Sequence, residues 1–170
     1  MNSAHLHLML NHVPVLATYF SLVVLIWGLI RKNESYTTVA YVGFMVAAIF
    51  SIIAVQTGEG AEEIVEGLSG VSESIIHEHE EAAEGAQWVS IVLGIVALGG
   101  LFLKNFSRNI KKYLATVALV LGFVSAGYMA YTAYEGGQIR HTEIREQSAN
   151  QPNSIGGEEG GENEGYEESE

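Results

Sequence analysis

Four apolar runs, at residues 13–30, 36–56, 86–103 and 113–134, contain no Lys, Arg, Asp or Glu. Each is close to the ~20 residues that an α-helix needs to cross a hydrocarbon core. Four such runs leave little water-facing surface for a soluble fold. The pattern therefore predicts an all-α, membrane-spanning four-helix bundle with up-down-up-down topology. The turn at residues 31–35 is short and makes the first two helices antiparallel neighbours. Gly94, Gly99, Gly100, Gly122, Ala126, Gly127 and Ala130 suit close helix contact, with Gly122 and Ala126 at small-xxx-small spacing.

The polar segments extend this frame. Glu59, Glu62 or Glu63, and Glu66 recur at helical spacing, so the second helix is expected to continue past its apolar run. Gly67, Ser69 and Gly70 form a break. Ser72 is placed to cap a new helix with Glu73 in its first turn, leading through His77-Glu78-His79-Glu80-Glu81 into the third run. The long outer loop is thus expected to be partly helical. After the fourth run, Gly136 and Gly137 are expected to end the helix and turn the chain back over the bundle. Residues 147–170 are rich in Gly, Glu, Asn and Ser and are expected to form a disordered acidic tail. That leaves 1–146 as the transmembrane domain.

Charge gives the orientation. Arg31, Lys32, Lys104, Arg108, Lys111 and Lys112 supply six of the eight basic residues, and all lie in the two short loops. Under the positive-inside rule these loops are cytoplasmic, and both termini and the loop at 57–85 face outward. The expected location is a bacterial inner (cytoplasmic) membrane, with the termini on the periplasmic side. No basic segment precedes the first run, which therefore does not read as a cleaved signal. The net charge of −12 is concentrated on the outer side and argues against a nucleic-acid partner. It would suit a basic one, such as a c-type cytochrome, although acidity also keeps a tail soluble. With no cysteine there is no thiolate ligand and no covalent haem attachment.

All six histidines fall at that outer end. His5, Met9 and His12 share one helical stripe, and His7 and Asn11 share the next. His12 adjoins the apolar core beside Pro14, whereas His5 and His7 read equally well as an exposed terminus. Glu73, His77, Glu80 or Glu81, Glu84 and Trp88 form one face of the third helix. His79 lies on another, near Ala82, Ala83 and Ala86. Carboxylates one turn from His77 can orient an imidazole ligand; a solvated acidic helix would look the same. Arg140 and His141 follow the fourth run. Arg140 suits a haem propionate, or an ion pair with Glu135 or Glu143.

The stretches HLHLMLNHVPVL, TGEGAEE, HEHEEAAEGAQW and GGQIRHTEIR resemble a family of bacterial four-helix integral membrane proteins with outward-facing histidines. Its wider group is associated with c-type cytochromes and respiratory components. The resemblance covers residues 1–146; it implies a membrane topology and a redox setting, and assigns no ligand. Three readings follow from the residues. The first is an electron-transfer subunit holding haem b between His12 and either His77 or His141, with Arg140 at a propionate. The second is a zinc or copper site drawn from His5, His7, His12, His77, His79 and Glu81. The third is a noncatalytic scaffold or accessory subunit whose histidines bond between helices. A stand-alone enzyme is the lesser expectation, and a transporter is disfavoured because no charge interrupts the spans.

Overall fold

In the computed structural model, residues 2–68 and 70–141 are described; the expected disordered tail lies outside them. The described chain is helical nearly throughout: α1 (Ser3–Leu10), α2 (His12–Arg31), α3 (Glu34–Val65), α4 (Glu73–Phe102), a single 3₁₀ turn (Leu103–Asn105) and α5 (Arg108–Arg140). Four of its helical segments, α1 with α2 counted as one, are long and apolar enough to cross a membrane. They form a ring: α2 packs on α3, α3 on α4, α4 on α5, and α5 returns to α2, while α1 lies against α3. Below, the two ends of this bundle are called the histidine end and the basic end.

Local chemistry sets the helix ends. The Asn2 side chain accepts from the His5 N–H and the Asn33 side chain from the Ser35 N–H, satisfying donors that a first turn leaves orphaned. Pro14 has no N–H to give the Leu10 carbonyl, and its ring crowds that carbonyl. The helix breaks there, at Asn11, so α1 is a short arm set on the head of α2. Lys32 closes α2 in the left-handed region at φ 51°, and Gly70 turns the chain between α3 and α4 at φ 84°.

The apolar runs are the middles of longer helices. As expected, α3 continues beyond residue 56 and a new helix begins at Glu73; Ser72 stands at its N-cap position, but its hydroxyl bonds to that of Ser74 and does not cap a backbone N–H. One expectation is corrected: Gly136 and Gly137 do not end the fourth helix, which runs on to Arg140. Each glycine costs a helix about 1 kcal/mol relative to alanine. Gly136 is tolerated because another side chain fills the space over it.

In lipid the hydrophobic effect does not draw helices together, so close packing must. A Cβ added at Gly94 would stand 2.7 Å from the Ala48 Cβ, and one at Gly122 would stand 3.0 Å from Leu22. Leu25, Phe44, Leu93, Ala97 and Ala118 fill the interior. Leu16, Phe20, Val23, Ile95 and Phe123 lie exposed on the outside, where the bilayer meets them. Trp27, under the Arg31 guanidinium at 5.5 Å, and the exposed Trp88 mark the two interfacial levels.

Candidate functional site at the histidine end

The two stripes read from the sequence exist, and both face outward. His5, Met9 and His12 are exposed on α1 and α2. Glu73, His77, Glu81, Glu84 and Trp88 are exposed on α4, where His77 Nε2 stands 3.4 Å from Glu81 Oε1. Arg140 and His141 are exposed at the end of α5. The histidines that meet are not the ones expected to face each other, His12 with His77 or His141. His7 and His79 are half-buried, with ring centres 6.5 Å apart and planes at 88°.

Each imidazole is fixed by the helix opposite. His7 Nδ1 lies 3.0 Å from the carbonyl oxygen of Ala54 in α3, with the Thr57 hydroxyl 3.4 Å away. His79 Nδ1 lies 3.0 Å from the carbonyl oxygen of Thr132 in α5. A carbonyl only accepts, so Nδ1 carries the proton in both rings. In the neutral imidazole this leaves Nε2 with a free lone pair. Room for the rings comes from glycine. Gly58, four residues after Ala54, lies beside His7, and Gly136, four residues after Thr132, lies under His79.

The two halves of the site are built alike. His5-Leu6-His7 opens the first hairpin and His77-Glu78-His79 the second. In each, the second histidine turns inward onto a carbonyl with a glycine one turn beyond. That repeated His-x-His, paired with a glycine on the facing helix, was the signal available in the sequence.

Carboxylates also lie at this end of the bundle. Glu135 is only 4% exposed, and its Oε2 accepts from Gln138 Nε2 at 2.8 Å. Above it, a hydrogen bond with Glu80 of α4 holds the Glu62 carboxyl of α3 above the usual carboxylate range.

His7 and His79 lie outside the uncharged runs, and burial pushes both imidazoles below their ordinary value of 6.5. Their carbonyl bonds oppose this only in part. The unfolded chain then binds protons more readily than the folded one, so acid favours unfolding. In the cofactor-free protein, stability from these groups should be complete above pH 6.5 and decline as pH falls below it. Thermal unfolding from pH 8 to about pH 5 checks this. The decline should shrink in a His7→Phe, His79→Phe double variant, and an equal decline would remove the pair as its source.

No curated protein and no solved structure is similar enough to the chain to bear on it. The membrane-spanning lengths agree with a family model that matches the chain. By that match, over residues 4–143, the chain belongs to the family described as Predicted membrane protein (DUF2231).

Proposed function

We propose that this integral membrane protein is an electron-transfer subunit that holds haem b at its histidine end, with His7 and His79 as the axial ligands. One observation carries the reading: two half-buried imidazoles on different helices, each with Nδ1 bound to a main-chain carbonyl, stand 6.5 Å apart. Holding Nδ1–H in this way sets the tautomer and orients Nε2 for a metal. An ion bound to both at the ~2.0 Å of a metal–imidazole bond would put the ring centres roughly 6 Å apart.

The donor set also favours haem over a bare ion. Zinc ordinarily takes three or four protein ligands. Among the described residues, no group of three or more His, Cys, Asp or Glu is placed to hold a metal ion. Haem brings its in-plane donors with it and asks the protein only for axial ones. When bound it would supply one-electron chemistry, while the chain orients the imidazoles and buries them. The basic loops support a topology with the histidine end on the periplasmic side of a bacterial inner membrane. There Arg140 would reach a propionate, and the acidic surface would receive a basic soluble cytochrome.

The test is a pair of spectra, oxidised and dithionite-reduced, of full-length protein purified in mild detergent from haem-replete cells. Bound metals are measured on the same sample. A Soret band that shifts on reduction is expected in the parent and in the His12→Ala, His77→Ala and His141→Ala variants. It should be lost or strongly altered in His7→Ala and in His79→Ala. Zinc or copper without a Soret band would replace haem with a metal-handling role. Finding neither would leave the pair as an interhelical clamp of an accessory subunit.

A further inference from the structure

The two short loops at the basic end hold six Lys and Arg residues and a single acid, Glu34. Glu34 is already engaged, because Lys111 of α5 donates to its Oε1. Arg31 and Lys32 stand exposed where α2 ends, and among the described residues neither has an ion pair. The Arg31 guanidinium lies over the Trp27 ring, 5.5 Å from its centre. Contact with a ring uses none of the five N–H donors of a guanidinium, which suit a phosphate two at a time.

One turn toward the middle of the membrane is an apolar hollow. Val23, Val24, Ile26 and Trp27 of α2 and Tyr36 of α3 line a volume of about 410 Å³. That lies within the roughly 300–1,000 Å³ of ordinary ligand sites. The two helices close on each other beside it, where a Cβ added at Gly28 would stand 3.0 Å from the Tyr36 Cβ. Trp27 and Arg31 are four residues apart, so hollow and cation follow one another along the helix within ~6 Å. A free anion would use only the cations. A zwitterionic lipid would bring its own ammonium group to compete with them. An acyl chain joined to an anionic head uses both parts.

We infer that the hollow at the α2–α3 turn binds one anionic glycerophospholipid, its chain against Val23, Val24 and Tyr36 and its phosphate at Arg31 and Lys32. The site lies at the opposite end of the bundle from the imidazoles. It therefore stands or fails independently of haem.

The chain has two tryptophans, Trp27 beside this hollow and Trp88 on α4, and they make the test local. Full-length Trp88→Phe protein, which keeps Trp27, is placed in phosphatidylcholine nanodiscs. A minor fraction of the lipid is brominated on its acyl chains, as phosphatidylglycerol in one sample and as phosphatidylcholine in the other. Bromine quenches indole on contact, so the quenching ratio reports preference. At Trp27 the glycerol lipid should be favoured about fivefold or more, the worth of at least one basic residue. The Trp27→Phe protein, which keeps Trp88, should show no such preference. The preference at Trp27 should persist in about 1 M salt, which screens charges separated by more than ~3 Å. It should vanish in Arg31→Gln, Lys32→Gln protein. It should also fall at least twofold in Val23→Phe, which fills the hollow from a position 65% exposed and leaves both cations. No preference at Trp27, or one lost in salt, would overturn the site. An undiminished preference in either variant would overturn it too, since cation and hollow are both required.

Discussion

Gly136→Val should unseat His79 and empty the proposed site, while Gly127→Val in the same helix leaves both intact. A Cβ at Gly136 would stand 2.8 Å from His79 Cε1 and 3.1 Å from its Nδ1. The ring cannot step aside freely, because Nδ1 is held by the Thr132 carbonyl one turn below. Valine must therefore break that hydrogen bond or push α5 away from α4. Overpacking of this kind costs about 1–3 kcal/mol. Better helix propensity returns only ~0.5 kcal/mol of it. Gly127 has nothing within 4 Å of its would-be Cβ, so valine there meets only lipid. Thermal unfolding in detergent and the Soret amplitude measure the two effects on one sample. Parent-like values for Gly136→Val would show that the contact with His79 does not matter.

Gly94→Leu should produce the largest loss of stability in the membrane-embedded part, with Gly99→Leu as its near-neutral partner. The interface of α3 and α4 closes at Gly94, where a Cβ would already be 2.7 Å from the Ala48 Cβ. Leucine adds further atoms toward the Phe44 carbonyl oxygen, which stands 3.9 Å from that Cβ. Neither neighbour can withdraw: Ala48 has no rotamer to change, and the Phe44 oxygen belongs to the backbone of α3. The helices must part, which forfeits contacts along their length. The expected cost is about 3 kcal/mol or more, at the upper end of overpacking effects. Gly99 faces open space. A Gly94→Leu protein that unfolds with the Gly99→Leu control would refute this account of the interface.

The spans were legible in the sequence because a charge-free run of membrane length has few alternatives. The ends of the helices were less so. Gly136 and Gly137 read as a stop, since the partner that makes Gly136 useful, His79, is over fifty residues away in sequence. The histidine face was legible as an end of the bundle and not as a pairing. Helical spacing correctly grouped His5 with His12 and His77 with Glu81. It does not reveal which stripe turns inward, which is fixed by packing. Polar company drew attention to His77, yet it is the small neighbours Ala82 and Ala86, both buried, that mark the contact face and place His79 on it. The turn of the Ser21 hydroxyl toward Gly43 of α3 left no trace in sequence, because a serine bonded to its own helix and one turned off it are written identically.

The carbonyl partners of the two imidazoles have a consequence for assembly. His7 and Ala54 both belong to the first hairpin, and His79 and Thr132 to the second. Each half of the chain thus sets one ring for itself and lacks only its counterpart. A group gripped by both rings would act as a rivet between two prefabricated halves. Its affinity and the affinity of the halves for each other would then be one linked quantity. Cutting the chain between α3 and α4 would leave two fragments that the bound group pulls back together.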